Sequence, residues 1–182
     1  KPFTERDFCG ILIISCSPGV ATPGGAGRGF DMTFPLTLNT DSPQATEEVG
    51  RSVAQAILAD AELPHFVALF GDLGVGKTAF VRGFAGVVTP GARVKSPTFA
   101  LVNEYKGKPL SVFHFDMYRI SGEDELYAMG FYDYADRPGI CLVEWSENIE
   151  EFLPEQYLRV EIVKNSATCP DSRSIRIDRV GQ

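Results

Sequence analysis

From Phe66 to Phe84 the chain reads FVALF, then GDLGVGKT, then AFVRGF. Five apolar residues make a run of strand length. The pattern Gly-x-x-x-x-Gly-Lys-Thr follows, from Gly71 to Thr78, and then apolar residues return at helical spacing, with Phe80, Val81 and Phe84 on one side. Strand, glycine loop and helix start, in that order, are the context in which this pattern binds phosphate. Loop glycines allow backbone angles and close approaches that a side chain would block. Successive amides then point inward as an anion cradle, completed by the unpaired amides and positive dipole end of the following helix. Lys77 offers a point charge for the outer phosphates, and Thr78 a hydroxyl for the magnesium that travels with them.

Hydrolysis needs, besides a cradle, an acid near the metal and a group that orients water. Two apolar runs end in carboxylates: Ile140-Cys141-Leu142-Val143-Glu144 and Phe113-His114-Phe115-Asp116. In an open α/β sheet the strand ends host the ligand, which makes Glu144 a metal-side candidate and Asp116 a second acid, the alternative for each being a solvated acid at a strand end. Trp145, the only tryptophan, either stacks over the site or packs in the core. Arg119 is read as neutralising charge or as pairing with Asp116. Thr98, after Pro97, is read as a phosphate-sensing hydroxyl or a plain turn residue, and His114 as a structural strand residue. The guanine-reading Asn-Lys-x-Asp pattern does not occur, which disfavours a GTPase.

The rest of the chain organises around this stretch. Its 182 residues suffice for one domain with a real core. No apolar run approaches membrane-spanning length. Cys9, Cys16, Cys141 and Cys169 lack metal-ligand spacing, so a reduced, cytoplasmic protein is expected. Residues 1–31 match the patterning of the remaining chain poorly and are expected to be a disordered or non-native extension, leaving 32–182 as the domain. On that expectation, deleting 1–31 leaves melting temperature and nucleotide affinity unchanged.

Thr33 to Leu38 patterns as a strand. Ser42-Pro43 opens a helix to about Ala59, with Ala45, Val49, Val53, Ala56 and Ile57 as its stripe. The helix after the loop is expected to end near Ala85–Gly86, before a short linker or strand over Val87 to Val94. Strands are expected at Phe99 to Tyr105, Ser111 to Tyr118 and Ile140 to Trp145. A capping box at Ser121 and Asp124 opens a short helix ending at Gly130. Tyr157 to Val163 and Ser174 to Val180 form a closing antiparallel pair. Net charge is -7, unevenly spread: residues 77–119 carry seven Lys/Arg against two Asp/Glu, and 121–155 one Arg against ten Asp/Glu. The acidic stretch is a solvated face or a docking surface for a basic partner. The overall sign argues against autonomous, salt-driven nucleic-acid binding.

Five ordered blocks, GDLGVGKT, VKSPTFALVNEY, HFDMYRI, ELYAMGFYDY and CLVEWSEN, together resemble the bacterial TsaE family, the small ATPases of tRNA threonylcarbamoyladenosine biosynthesis. The resemblance spans about Leu36 to Pro154. It implies a three-layer α/β domain of the P-loop NTPase fold with a central mixed sheet, binding ATP and Mg2+. It places the loop from Gly71, and in particular Gly74, Val75, Gly76, Lys77, Thr78 and Ala79, on the phosphates. Thr78 and Glu144 fall around the magnesium, Asp116 and Lys77 serve hydrolysis, Trp145 lies near the nucleotide, and Thr46 lies toward the base. It also implies a weak ATPase stimulated by a TsaB/TsaD transferase complex, with tRNA engaged indirectly through that complex. Ala79 stands where Thr is commoner, and Met117 where Leu is. A small-molecule or nucleotide kinase on the same fold, and a module binding ATP only as a structural ligand, are the competing readings.

Overall fold

The computed structural model describes residues 32–135, 137–165 and 169–181; the expectation for residues 1–31 lies outside them. The elements in chain order are β1 (Leu36–Thr40), α1 (Pro43–Ala59), β2 (Phe66–Phe70), α2 (Lys77–Val88), β3 (Val102–Tyr105), β4 (Ser111–Asp116), α3 (Glu123–Ala128), α4 (Phe131–Ala135), β5 (Gly139–Glu144), β6 (Tyr157–Lys164) and β7 (Arg173–Val180). A 3-10 segment covers Ser146–Phe152.

Among the described residues the strands form one seven-stranded sheet in the order β1-β7-β6-β2-β5-β4-β3. The four central strands, β6, β2, β5 and β4, are mutually parallel, and β1, β7 and β3 pair antiparallel at the margins. The parallel centre explains the unbroken apolar runs, since strands covered on both faces have no wet side to mark with polar residues. Along β2, Val67 and Leu69 enter one core with Val53, Ile57, Phe80 and Phe84 from α1 and α2. Phe66, Ala68 and Phe70 enter a second core with Leu126, Phe131 and Ile149 from the opposite layer. The period-2 alternation of a strand thus builds a three-layer α/β domain with a mixed sheet.

Local chemistry sets the boundaries. Ser42 caps α1 by accepting from the Ala45 amide at 3.2 Å, with Pro43 in the first turn. α2 runs past Gly86 to Val88, because Thr89 closes it with both its amide and its hydroxyl on the Ala85 carbonyl. Val87 and Val88 therefore belong to the helix, not to a linker. β1 begins at Leu36, after Pro35, and reaches Thr40, two residues later than the pattern suggests. Phe99 to Leu101 is a turn: Leu101 has φ 65°, in the left-handed region, and its amide donates to the Pro97 carbonyl. β4 ends at Asp116 and β5 at Glu144, where Trp145 turns left-handed at φ 61°. The cap before α3 pairs Ser121 with Glu125, whose Oε2 accepts from both the Ser121 amide and hydroxyl; Asp124 is not the partner. β6 and β7 form the expected antiparallel pair, with Ile175 and Ile177 fully buried.

Candidate active site

β2, β5 and β4 are adjacent and parallel, so their C-terminal ends lie side by side. Leu69 stands opposite Glu144, and Glu144 opposite Asp116. The glycine loop leaves the end of β2 and enters α2 at Lys77. The topology therefore brings the loop and both strand-end carboxylates to one edge of the sheet. Gly71 and Gly76 have φ of 130° and 114°, and a Cβ at Gly71 would lie 2.2 Å from the Ile162 carbonyl oxygen. A side chain at Gly71 would push the loop off β6.

Lys77 is buried and turns back over the loop. Its ammonium donates to the Gly71 carbonyl and, at 3.0 Å, to the Asp72 carbonyl. It also lies 3.7 Å from the centre of the Trp145 ring, a cation–π contact. Burial pulls its pKa below the ordinary 10.5, while Glu147, Glu144, Asp116 and Asp72 act in the opposite direction. Four carboxylates thus favour the charged form of this one ammonium.

The Thr78 hydroxyl donates to Glu144, 2.8 Å from Oε1 and 3.1 Å from Oε2. Glu144 Oε1 also meets His114 Nε2 at 2.8 Å. Asp116 Oδ2 accepts from the hydroxyls of Thr98 at 2.7 Å and Ser96 at 3.1 Å, and Oδ1 from the Tyr118 amide at 3.0 Å. Glu144 and Asp116 are both buried, so these donors replace the water each carboxylate gave up. Thr98 thus sits on the acid itself, more than a plain turn residue. Arg119 is exposed and stacks on Phe99, 4.8 Å from the ring centre, and among the described contacts it is not paired with Asp116.

The remaining residues fall around the loop. Trp145 is half-buried, its ring 4.8 Å from that of Tyr118. Val75 is buried, and its carbonyl accepts from Arg173 Nε at 2.7 Å. Gly74 is open, with only the Lys164 ammonium within 4.0 Å of an added Cβ. Ala79 lies half-buried in the first turn of α2. Thr46 is buried behind the loop; a Cβ on Gly76 would lie 3.6 Å from its methyl. Its hydroxyl is committed inward, 3.1 Å from that of Thr40 and donating to the Ser42 carbonyl.

Four contributors escaped sequence reasoning. Arg173 pins the loop from β7, Glu147 accepts from the Gly71 amide at 3.3 Å, Ser96 joins Thr98 on Asp116, and His114 holds Glu144. Only His114 carried a readable signal: in a strand, His-x-Asp puts both side chains on one face.

A family model described as threonylcarbamoyl adenosine biosynthesis protein TsaE matches residues 40–175. The chain belongs to the TsaE family. The tRNA threonylcarbamoyladenosine biosynthesis protein TsaE of Bacillus subtilis is 37% identical over 146 residues, covering 80% of this chain and 87% of its own. Its Haemophilus influenzae counterpart is 39% identical over 129 residues, covering 70% and 79%. The crystal structure of YdiB from Bacillus subtilis superposes with a TM-score of 0.62 at 32% identity, covering 83% of this chain and 88% of that one. The TsaE match takes in every site residue from Thr46 to Trp145 and leaves residues 1–31 outside. The sheet, the loop and this neighbour together give a P-loop NTPase fold.

Proposed function

We propose that this TsaE-family chain binds ATP in the Gly71–Thr78 loop together with magnesium and hydrolyses it slowly on its own. It serves as an accessory subunit to a TsaB/TsaD transferase complex in threonylcarbamoyladenosine modification of tRNA beside the anticodon. The observation that carries this is the convergence of Lys77, Thr78, Glu144 and Asp116 at the ends of three adjacent parallel strands.

The donor set suits the ion. A hydroxyl and a carboxylate are hard oxygen ligands, and magnesium is held by one or two carboxylates plus phosphates and water, not by an all-protein cage. Among the described residues no group of three or more His, Cys, Asp or Glu is arranged to hold a metal alone, which fits an ion arriving with its nucleotide. Thr78 and Glu144 would hold it, and it would supply neutralising charge to the terminal phosphates. Lys77 exchanges its carbonyl partners for phosphate oxygens. The loop amides take the remaining negative charge. Asp116, fixed by three donors, orients or deprotonates the attacking water. Among the described residues no helix is long and apolar enough to cross a membrane, and the reading places the protein in the cytoplasm beside its tRNA.

The test is phosphate release from MgATP with and without the purified partner pair. Slow release that the pair stimulates supports the proposal. Release that requires an added acceptor alcohol and yields a phosphorylated product indicates a kinase. Tight ATP binding with no turnover under any condition indicates a structural nucleotide, and contradicts the hydrolytic role.

A further inference from the structure

Beyond the residues that touch nucleotide or metal, the geometry points to His114 as a positioning residue for Glu144. It would fix the carboxylate through Nε2–H so that Thr78 can leave it for the metal. This rests on the proposed role of Glu144 toward magnesium.

The placement comes from the sheet. Alternation along β4 puts Val112, His114 and Asp116 on the face toward α2, with Ile140, Leu142 and Glu144 of β5. His114 pairs with Leu142, so Glu144 is its diagonal neighbour two residues on. His114 is fully buried, with Val112, Ile140 and Leu142 as apolar neighbours on the same face of the sheet. Its Nε2 is 2.8 Å from Glu144 Oε1, while Nδ1 has no hydrogen-bond partner among the described residues. An ionised carboxylate only accepts, so the Nε2 carries the proton. Placed on Nδ1 instead, that proton would be a buried donor without an acceptor.

An apolar residue would avoid burying that bare Nδ1, so the imidazole brings a cost that packing does not explain. What it supplies is a second donor to Glu144. Thr78 currently spans both oxygens, and its hydroxyl is the group expected to turn to the metal. Once it turns, His114 is the remaining side-chain donor on that carboxylate among the described contacts. Partners of this kind behind a ligating carboxylate typically contribute 10–100-fold to metal affinity.

The experiment titrates ATP into the full chain across a magnesium series, and again with a chelator, for wild type, His114→Leu and His114→Gln. His114→Leu is expected to raise the magnesium needed for half-maximal enhancement about tenfold or more, with magnesium-free ATP affinity unchanged. His114→Gln, which retains an N–H donor, is expected to recover most of the loss. A folded His114→Leu protein with the wild-type magnesium dependence, or a Gln variant as impaired as Leu, overturns the inference. Wild-type affinity that ignores magnesium removes the underlying role of Glu144 as well, so the two failures are distinguishable. Should His114→Leu not fold, nitrogen NMR of wild type decides: a proton on Nε2 is expected, and a proton on Nδ1 overturns it.

Discussion

At the scale of single residues, two buried carboxylates have different neighbours, and the roles proposed for them differ accordingly. Asp116 accepts from three donors and none of them is on the loop, whereas Glu144 is tied to Thr78 inside it. Asp116→Ala is therefore expected to keep MgATP affinity within a few-fold and to lose turnover by about 10²–10⁴, the usual worth of a positioned acid or base. Single-turnover phosphate release alongside calorimetric binding checks this. Cys141 offers a pH-dependence with a definite sign. Burial pushes its thiol from 9.0 up to about 12, against a small opposing effect of Arg137. In the unfolded chain the thiol ionises first, so stability from this group is intact below pH 9 and is lost as pH rises toward about 12. Chemical denaturation across that range should show wild type losing stability faster than Cys141→Ala. Equal slopes would contradict it.

At the scale of elements, α1 and α2 approach one another through glycine. A Cβ at Gly83 would lie 1.8 Å from the Glu47 carbonyl oxygen, and one at Gly50 would lie 2.2 Å from that of Phe80. Gly83→Ala is expected to cost about 1–3 kcal/mol or more, as overpacking does. It also shifts the N-terminus of α2, so ATP affinity should fall with stability, and a denaturant midpoint measured beside a binding curve reads both. Elements with strong periodicity were legible before the structure: α1 from its stripe and Ser42-Pro43, β2 and β5 from runs too apolar for a one-sided strand. α4 and the 3-10 segment at Ser146–Phe152 were not, because they are short and carry no repeating stripe. The segment Phe99–Leu101 looked like strand because it is apolar, yet Leu101 turns left-handed and its amide closes on Pro97. Of the site, the loop and both strand-end acids could be read from chemistry and position in the chain. Arg173 and Glu147 could not. They reach the loop from 98 and 76 residues away, and no local pattern marks such a contact.

At the scale of the molecule, the uneven charge along the chain is partly taken up by local contacts. Some of the carboxylates in 121–155 are already engaged: Glu125 caps its own helix, Glu150 pairs with Arg159, and Glu144 and Glu147 belong to the site. Asp124 and Glu151 are exposed, and if the acidic stretch docks a basic partner these side chains are open to it. Asp124→Lys and Glu151→Lys are expected to weaken capture by the TsaB/TsaD pair several-fold and to reduce its salt dependence, since rim charges act on association. ATP affinity should not change, because among the described contacts neither side chain bonds to the loop. Capture unchanged at low and high salt would assign that face to solvation alone.

The central claim is that the loop closes around a triphosphate and draws Lys77 away from its present partners. Trp145 reports on this directly, being the only tryptophan and lying 3.7 Å from the Lys77 ammonium. Titrating MgATP into the full chain should give a saturable change in tryptophan fluorescence that Lys77→Ala abolishes. A flat trace from wild type, with calorimetry showing no ATP binding under the same conditions, would contradict the account.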